Sequence, residues 1–208
     1  MSLKYTSSPS KNPAKYLVVV LHGWGDNFYG LMPLAEHLEF PDIEFIFADA
    51  PYPHPHVPDG KAWYHLETPE YKGLKESSQS LFNWILSLEQ STGVPLSHTM
   101  LIGFSQGGAM TLDVGLKLPL LGLCSLSGYL HYQPSQLNLP SPPLLLIHGS
   151  QDVVVPVSAA QYANTLLKSL GVEVDYHELN IGHEISLEAL NLLREFINKR
   201  SKAISHLE

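Results

Sequence analysis

Cysteine is nearly absent: Cys124 is the single one in 208 residues, so no disulfide forms within the chain. That excludes a small core stapled by disulfides and fits a reducing compartment. Charge is also scarce, at 15% of residues, and basic residues are the scarcer sign. Twelve Lys and Arg against twenty Asp and Glu leave a formal net charge of −8. Such a surface repels phosphate backbones and anionic lipid, so no nucleic-acid partner is expected. No apolar run reaches the roughly 20 residues that a membrane helix needs. Met1–Pro13 is polar and lacks the apolar core of a signal peptide. A soluble, cytoplasmic chain without integral membrane association is the expectation.

Apolar residues, by contrast, make up 44%. That argues against disorder, and the length suits one domain with a sizeable core, spanning 1–208. Tyr16–Leu21 reads YLVVVL, apolar on both faces, as a strand buried inside a parallel sheet reads. Further strands are predicted at Ile43–Ala48, Thr99–Phe104, Leu120–Leu126, Leu144–His148 and Val172–Glu178. Helical spacing falls between them. A short helix is expected at Leu31–Leu38, and longer ones at Gly73–Leu88 and Gly107–Leu118. Two more follow around Ala160–Leu170, closed by Gly171, and around Ile185–Phe196. Strands alternating with helices predict an α/β three-layer sandwich with a mostly parallel central sheet. Two proline-rich stretches break the rhythm. Asp49–Tyr71 holds five prolines with His54 and His56 between them, which excludes a central strand or a continuous helix. Pro134–Pro143 is the second.

Gly103-Phe104-Ser105-Gln106-Gly107 fits G-x-S-x-G, with an apolar strand before it and a helical stretch after it. A sharp strand-to-helix turn lifts the Ser105 hydroxyl out at the carboxyl end of the sheet. A hydroxyl is a weak nucleophile and needs a base. Asp152 lies just past the fifth strand and His183 just past the sixth, so both fall at the same sheet edge as Ser105. The order Ser105, Asp152, His183 is the chain order of such a triad. Each has a plainer alternative. Asp152 also suits a turn cap, and His183 an ordinary surface position. Asp175 is a competing acid, but it lies inside the sixth strand. His22, His148 and His177 sit in or beside strands, where packing or loop support suits them better.

Leu21-His22-Gly23-Trp24-Gly25-Asp26 leaves the first strong strand at the same edge. Its glycines allow a turn that aims the Trp24 N–H beside the Gln106 N–H, a pair of main-chain donors for a developing oxyanion. Because such donors are main chain, hydrolysis is expected to tolerate many side chains at both positions. His54 and His56 lack the companions of a zinc site, so no metal or other cofactor is expected. Cys124 falls in the fourth strand and reads as a structural thiol. Leu126-Ser127-Gly128-Tyr129 leaves that strand toward the site edge, without assigned chemistry.

LHGWGD, GFSQGG, IHGSQDVVVP and GHEI together resemble the carboxylesterase/phospholipase family of α/β hydrolases that includes the acyl-protein thioesterases. The resemblance spans about Tyr16 to Phe196. It implies an α/β-hydrolase fold with no large lid domain, a triad of Ser105, Asp152 and His183, and oxyanion donors at the Trp24 and Gln106 N–H groups. Family members commonly carry leucine where this chain has Trp24, which narrows the acyl entrance here. Lys61-Ala62-Trp63-Tyr64-His65 keeps the family's two aromatics but replaces the acid that follows them.

The expected activity is that of a carboxylesterase cleaving short to medium acyl esters through an acyl-enzyme. Trp24, Trp63, Tyr64 and Leu66 are expected to line its acyl site, with plain core packing the alternative for Trp63 and Tyr64. The competing activities are an acyl-protein thioesterase and a lysophospholipase. A catalytically silent ligand-binding protein on the same fold is the non-enzyme alternative. The expected partner is a small acyl ester or thioester, and the chain a monomer or weak homodimer.

Overall fold

The apolar runs pair as strands that need cover on both faces. In the computed structural model, which describes residues 3–68, 70–134, 136, 137 and 140–205, the strands are β1 (Tyr5–Ser8), β2 (Tyr16–Leu21), β3 (Ile43–Ala48), β4 (Tyr52–Pro53), β5 (Lys61–Ala62), β6 (Thr99–Phe104), β7 (Gly122–Leu126), β8 (Leu144–Gly149) and β9 (Val174–Leu179). The helices are α1 (Phe28–Leu31), α2 (Pro33–Leu38), α3 (Leu74–Thr92), α4 (Gln106–Gly115), α5 (Val157–Ser169) and α6 (Leu187–Ser205). Seven strands form one sheet in the order β1-β3-β2-β6-β7-β8-β9, and β4 pairs with β5 as a separate small hairpin. Every pairing in the large sheet is parallel except β1 with β3.

Successive strand residues point to opposite faces, and the core divides accordingly. Leu17, Val19 and Leu21 of β2 pack with Leu81, Ile85 and Leu88 of α3, Met110 and Leu112 of α4, and Leu167 of α5. Val18 and Val20 pack on the other face with Leu34 and Leu38 of α2 and Leu193, Phe196 and Ile197 of α6. These are the three layers expected. The α3 helix ends at Gly93, whose φ of 77° provides the left-handed cap and whose N–H donates to Glu89 O.

Several boundaries differ from the sequence expectation for physical reasons. β1 was not foreseen, because YTSS is polar and half-exposed, as an edge strand tolerates. The expected Leu31–Leu38 helix is two short pieces meeting at Pro33, which begins α2. The α3 helix runs four residues past Leu88 as a polar, exposed turn that carries no apolar periodicity. Pro69 and three residues of the Pro134–Pro143 loop (135, 138 and 139) lie outside the described residues.

The topology places a crevice. From β2 the chain moves to β3 on one side, then returns to β6 on the other. The carboxyl ends of β2 and β6 therefore flank a switch in connection direction, where open α/β sheets bind ligands. The segments leaving those two ends begin His22-Gly23-Trp24 and Ser105-Gln106-Gly107.

Candidate active site

Ser105 sits between the end of β6 and the start of α4, with φ 55° and ψ −116°. A residue with a Cβ occupies this region at a cost of about 1–3 kcal/mol, so surrounding contacts must hold it. The Ser105 N–H donates to Leu126 O at 2.8 Å, and Ala109 N–H donates to Ser105 O at 3.0 Å. The flanking glycines are required by close approach. A Cβ on Gly103 would lie 2.1 Å from Gly107 O, and one on Gly107 would lie 2.2 Å from Leu21 O. Strand β6, helix α4 and the end of β2 thus meet backbone to backbone at the serine.

The structure brings Ser105, His183 and Asp152 into one hydrogen-bonded line. His183 Nδ1 lies 2.7 Å from Asp152 Oδ2, and His183 Nε2 lies 2.9 Å from Ser105 Oγ. An ionised carboxylate only accepts, so Nδ1–H donates to Asp152 and Nε2 is left to accept the Ser105 O–H. Asp152 also fills its alternative role as a turn cap, because Oδ1 accepts the N–H groups of Val154 and Val155 at 2.9 and 2.8 Å. Burial alone would raise the Asp152 pKa. The hydrogen bonds from His183, Val155 and Val154, with the charge of His183, outweigh burial and hold the carboxyl below its ordinary value.

The competing groups do other work. His148 Nε2 lies 2.8 Å from Val155 O and 3.4 Å from Asp152 Oδ2, behind the acid. Asp175 pairs with His177 on β9. His22 is buried, and its Nε2 accepts the Ala50 N–H at 3.0 Å, so its Nδ1–H donates to Gly23 O at 2.7 Å. Burial lowers the His22 pKa, which favours this neutral form.

The loop after β2 lies against the nucleophile, since a Cβ on Gly23 would be 3.4 Å from Ser105 Cβ. Gly25 N–H donates to Lys61 O, and Lys61 N–H donates to Asp26 O, tying this loop to β5. The Gln106 N–H opens α4 and has no acceptor within its own helix. The Trp24 and Gln106 segments therefore both adjoin Ser105.

Trp63 and Tyr64 require a correction. Both are fully buried, and neither lines the cavity at Ser105. They are a brace for the serine turn. The Gln106 side chain accepts the Trp63 N–H at 2.8 Å and donates to Tyr64 O at 2.9 Å, while Trp63 Nε1–H donates to His22 O. Gln106 thus has a structural role that the sequence reading did not foresee, since its buried amide joins two segments. Tyr64 and Tyr129 share a 2.5 Å hydroxyl–hydroxyl bond, and burial pushes the Tyr129 phenol up to about 12.

A cavity of about 540 Å³ opens at Ser105 and His183. Trp24, Leu66, Tyr71, Tyr129, Leu130 and the Val154–Pro156 turn line it. Trp24 and Leu66 were foreseen. Tyr71, Leu130 and the valine turn were not, since nothing local distinguishes them from packing residues. The only pointer to Tyr129 was its place after the carboxyl end of β7. Val153 and Val154 stand exposed beside the site and make its rim apolar. Among the described residues, no group of three or more His, Cys, Asp or Glu is placed to hold a metal. Nor is any helix there long and apolar enough to cross a membrane.

Comparison with known proteins shows the family. Residues 5–201 match the family model described as Phospholipase/Carboxylesterase. The acyl-protein thioesterase 1 of Eremothecium gossypii is 30% identical, covering 89% of this chain and 88% of its own. A mouse (Mus musculus) protein named lysophospholipase-like protein 1 is 29% identical over 88% and 86%. The crystal structure of esterase PE8 superposes with a TM-score of 0.88 at 32% identity, covering 96% of this chain and 99% of its own. With its mostly parallel sheet, three layers and no large inserted lid among the described residues, this chain is an α/β hydrolase of the phospholipase/carboxylesterase family.

Proposed function

We propose that this chain is a serine hydrolase that cleaves carboxylic esters of short to medium acyl chains through an acyl-enzyme. One observation carries the proposal: the line of hydrogen bonds from Asp152 through His183 to Ser105, ending in an apolar cavity. In the proposed mechanism Ser105 Oγ attacks the acyl carbonyl carbon while His183 Nε2 takes its proton. Asp152 holds the imidazole by Nδ1–H and stabilises the imidazolium. The carbonyl oxygen becomes an oxyanion between the N–H groups of Trp24 and Gln106. Each such donor is worth on the order of 3 kcal/mol in the transition state. Collapse expels the alcohol, which takes the proton back from His183. Water, activated by His183, then releases the acid and restores Ser105. No cofactor enters this sequence.

The aromatic and aliphatic wall supports an acyl substrate, and each buried methylene contributes about 0.8 kcal/mol. Trp24 and Tyr129 bound a cavity of about 540 Å³, within the range of small-molecule sites, and the bulk of Trp24 supports short to medium chains. Thioester cleavage is the second reading, favoured by the thioesterase relative, because the same attack applies to a thioester carbonyl. The test is a series of p-nitrophenyl esters of increasing acyl length, run with an acyl-protein and a lysophospholipid on wild type and Ser105→Ala. Fast cleavage of short esters that vanishes in Ser105→Ala supports the proposal. Equal or greater kcat/KM on the lysophospholipid refutes the chain-length assignment. A folded protein that cleaves nothing and takes no fluorophosphonate label points to the silent binding protein.

A further inference from the structure

The loop that carries Trp24 has an outside support, the histidine–proline loop between β4 and β5. The Trp24 and His54 rings stand with centroids 4.1 Å apart, tilted by 59°. A Cβ on Gly25, whose φ is +86°, would lie 3.3 Å from His54 Cδ2 and Nε2. The imidazole therefore covers both the indole and the backbone beside it. His54 is itself locked. Its Nδ1 accepts the N–H groups of His56 at 3.1 Å and Val57 at 2.9 Å, and its own N–H donates to Gly60 O at 2.8 Å. A ring nitrogen that accepts two N–H groups carries no proton, so the hydrogen resides on Nε2. Burial lowers the His54 pKa, His56 on the same loop lowers it further, and Glu67 beyond β5 opposes them. The neutral, accepting form is the favoured one.

We infer that His54 is a positioning residue for the oxyanion loop: its ring backs Trp24, and its Nδ1 locks the loop that carries the ring. The inference rests on the serine-hydrolase reading, in which the Trp24 N–H faces the oxyanion. Such a donor is effective only within about 2.7–3.1 Å of the charged oxygen. A ground-state carbonyl, weakly charged, loses little when the donor drifts, whereas the transition state loses much. The effect of His54 therefore falls on kcat rather than KM. Nothing in the sequence pattern announces it, because His54 lies about thirty residues from Trp24 in a segment without periodicity.

Three variants test the inference with p-nitrophenyl butyrate as substrate and thermal melting as the folding control. His54→Ala removes ring and acceptor. His54→Asn restores an acceptor near the place of Nδ1. His54→Phe keeps a ring but no acceptor. The expected result is a kcat lower by about tenfold or more in His54→Ala and in His54→Asn, which both lack the ring, with KM within about twofold, and a His54→Phe variant that recovers part of the loss. If His54→Ala does not fold, the kcat of His54→Asn must still fall below that of His54→Phe. A wild-type kcat in His54→Ala or His54→Asn, a change confined to KM, or a Phe variant no better than Asn overturns the inference alone. A folded wild type inert on every ester overturns the hydrolase reading and this inference with it.

Discussion

Gln106→Ala is a severe test of the brace behind the serine turn. The wild-type amide accepts the Trp63 N–H at 2.8 Å and donates to Tyr64 O at 2.9 Å, and all three residues are buried. Truncation orphans one N–H and one C=O. Each buried orphan costs about 1–3 kcal/mol, so the pair costs about 2–6 kcal/mol. A water entering the vacated volume moves the loss toward the lower figure. At about 2–4 °C per kcal/mol for a chain of this size, the melting temperature falls by about 4 °C at the least and about 24 °C at the most. Gln106→Met separates the two contributions, since it fills the space but pairs with neither group. It is expected within about 1 kcal/mol of Gln106→Ala. Urea unfolding followed by tryptophan fluorescence measures both. A Gln106→Met variant within about 0.5 kcal/mol of wild type refutes the brace, because ordinary surface changes fall in that range. Residual hydrolysis persists in both variants, since the proposed donor at this position is main chain.

Further outcomes follow from the site and the core. Ser105→Gly abolishes hydrolysis yet raises the melting temperature by about 2–4 °C, because glycine accepts φ 55° without strain. Asp152→Asn lowers kcat on the order of 10³-fold or more, measured on a short ester. The same variant flattens acid sensitivity. The Asp152 carboxyl is held below its ordinary value of 3.8, so its contribution to stability is full above that pH and is lost as pH falls through the folded value. Wild-type urea midpoints therefore drop more steeply than the variant's as pH falls below about 4. Burial pushes the Cys124 thiol well above its usual range, so maleimide labels it only in denaturant, as intact mass reports. Trp24→Leu opens the cavity and raises the preference for octanoyl over acetyl esters, by up to roughly fourfold per added methylene that becomes buried.

The sheet was legible because five of its strands are largely buried on both faces and so read as mainly apolar runs. The site motifs were legible because they follow strand ends, where spacing and backbone shape are tightly constrained. Edge strand β1 was illegible for the opposite reason: half-exposed Thr6, Ser7 and Ser8 carry no pattern apart from their pairing with β3. Trp63 and Tyr64 were misassigned because an aromatic pair next to a site looks the same in sequence whether it faces substrate or core. Here the Gln106 amide draws their backbone inward. Tyr71 and Leu130 reach the cavity from loops whose course depends on tertiary packing, so no local signal marks them.

The proposed triad is spread widely along the chain. His183 lies 78 positions after Ser105 and 31 after Asp152. The strands that deliver them lie side by side in chain order, from β6 through β7 and β8 to β9. During synthesis the serine therefore emerges long before its base. Until β9 docks, the turn at Ser105 has a hydroxyl without its proposed proton acceptor, and any piece that ends before His183 lacks that base. In a refolding experiment, recovered hydrolysis would count finished molecules only, lagging behind any signal from helix formation or early pairing of β2 with β6.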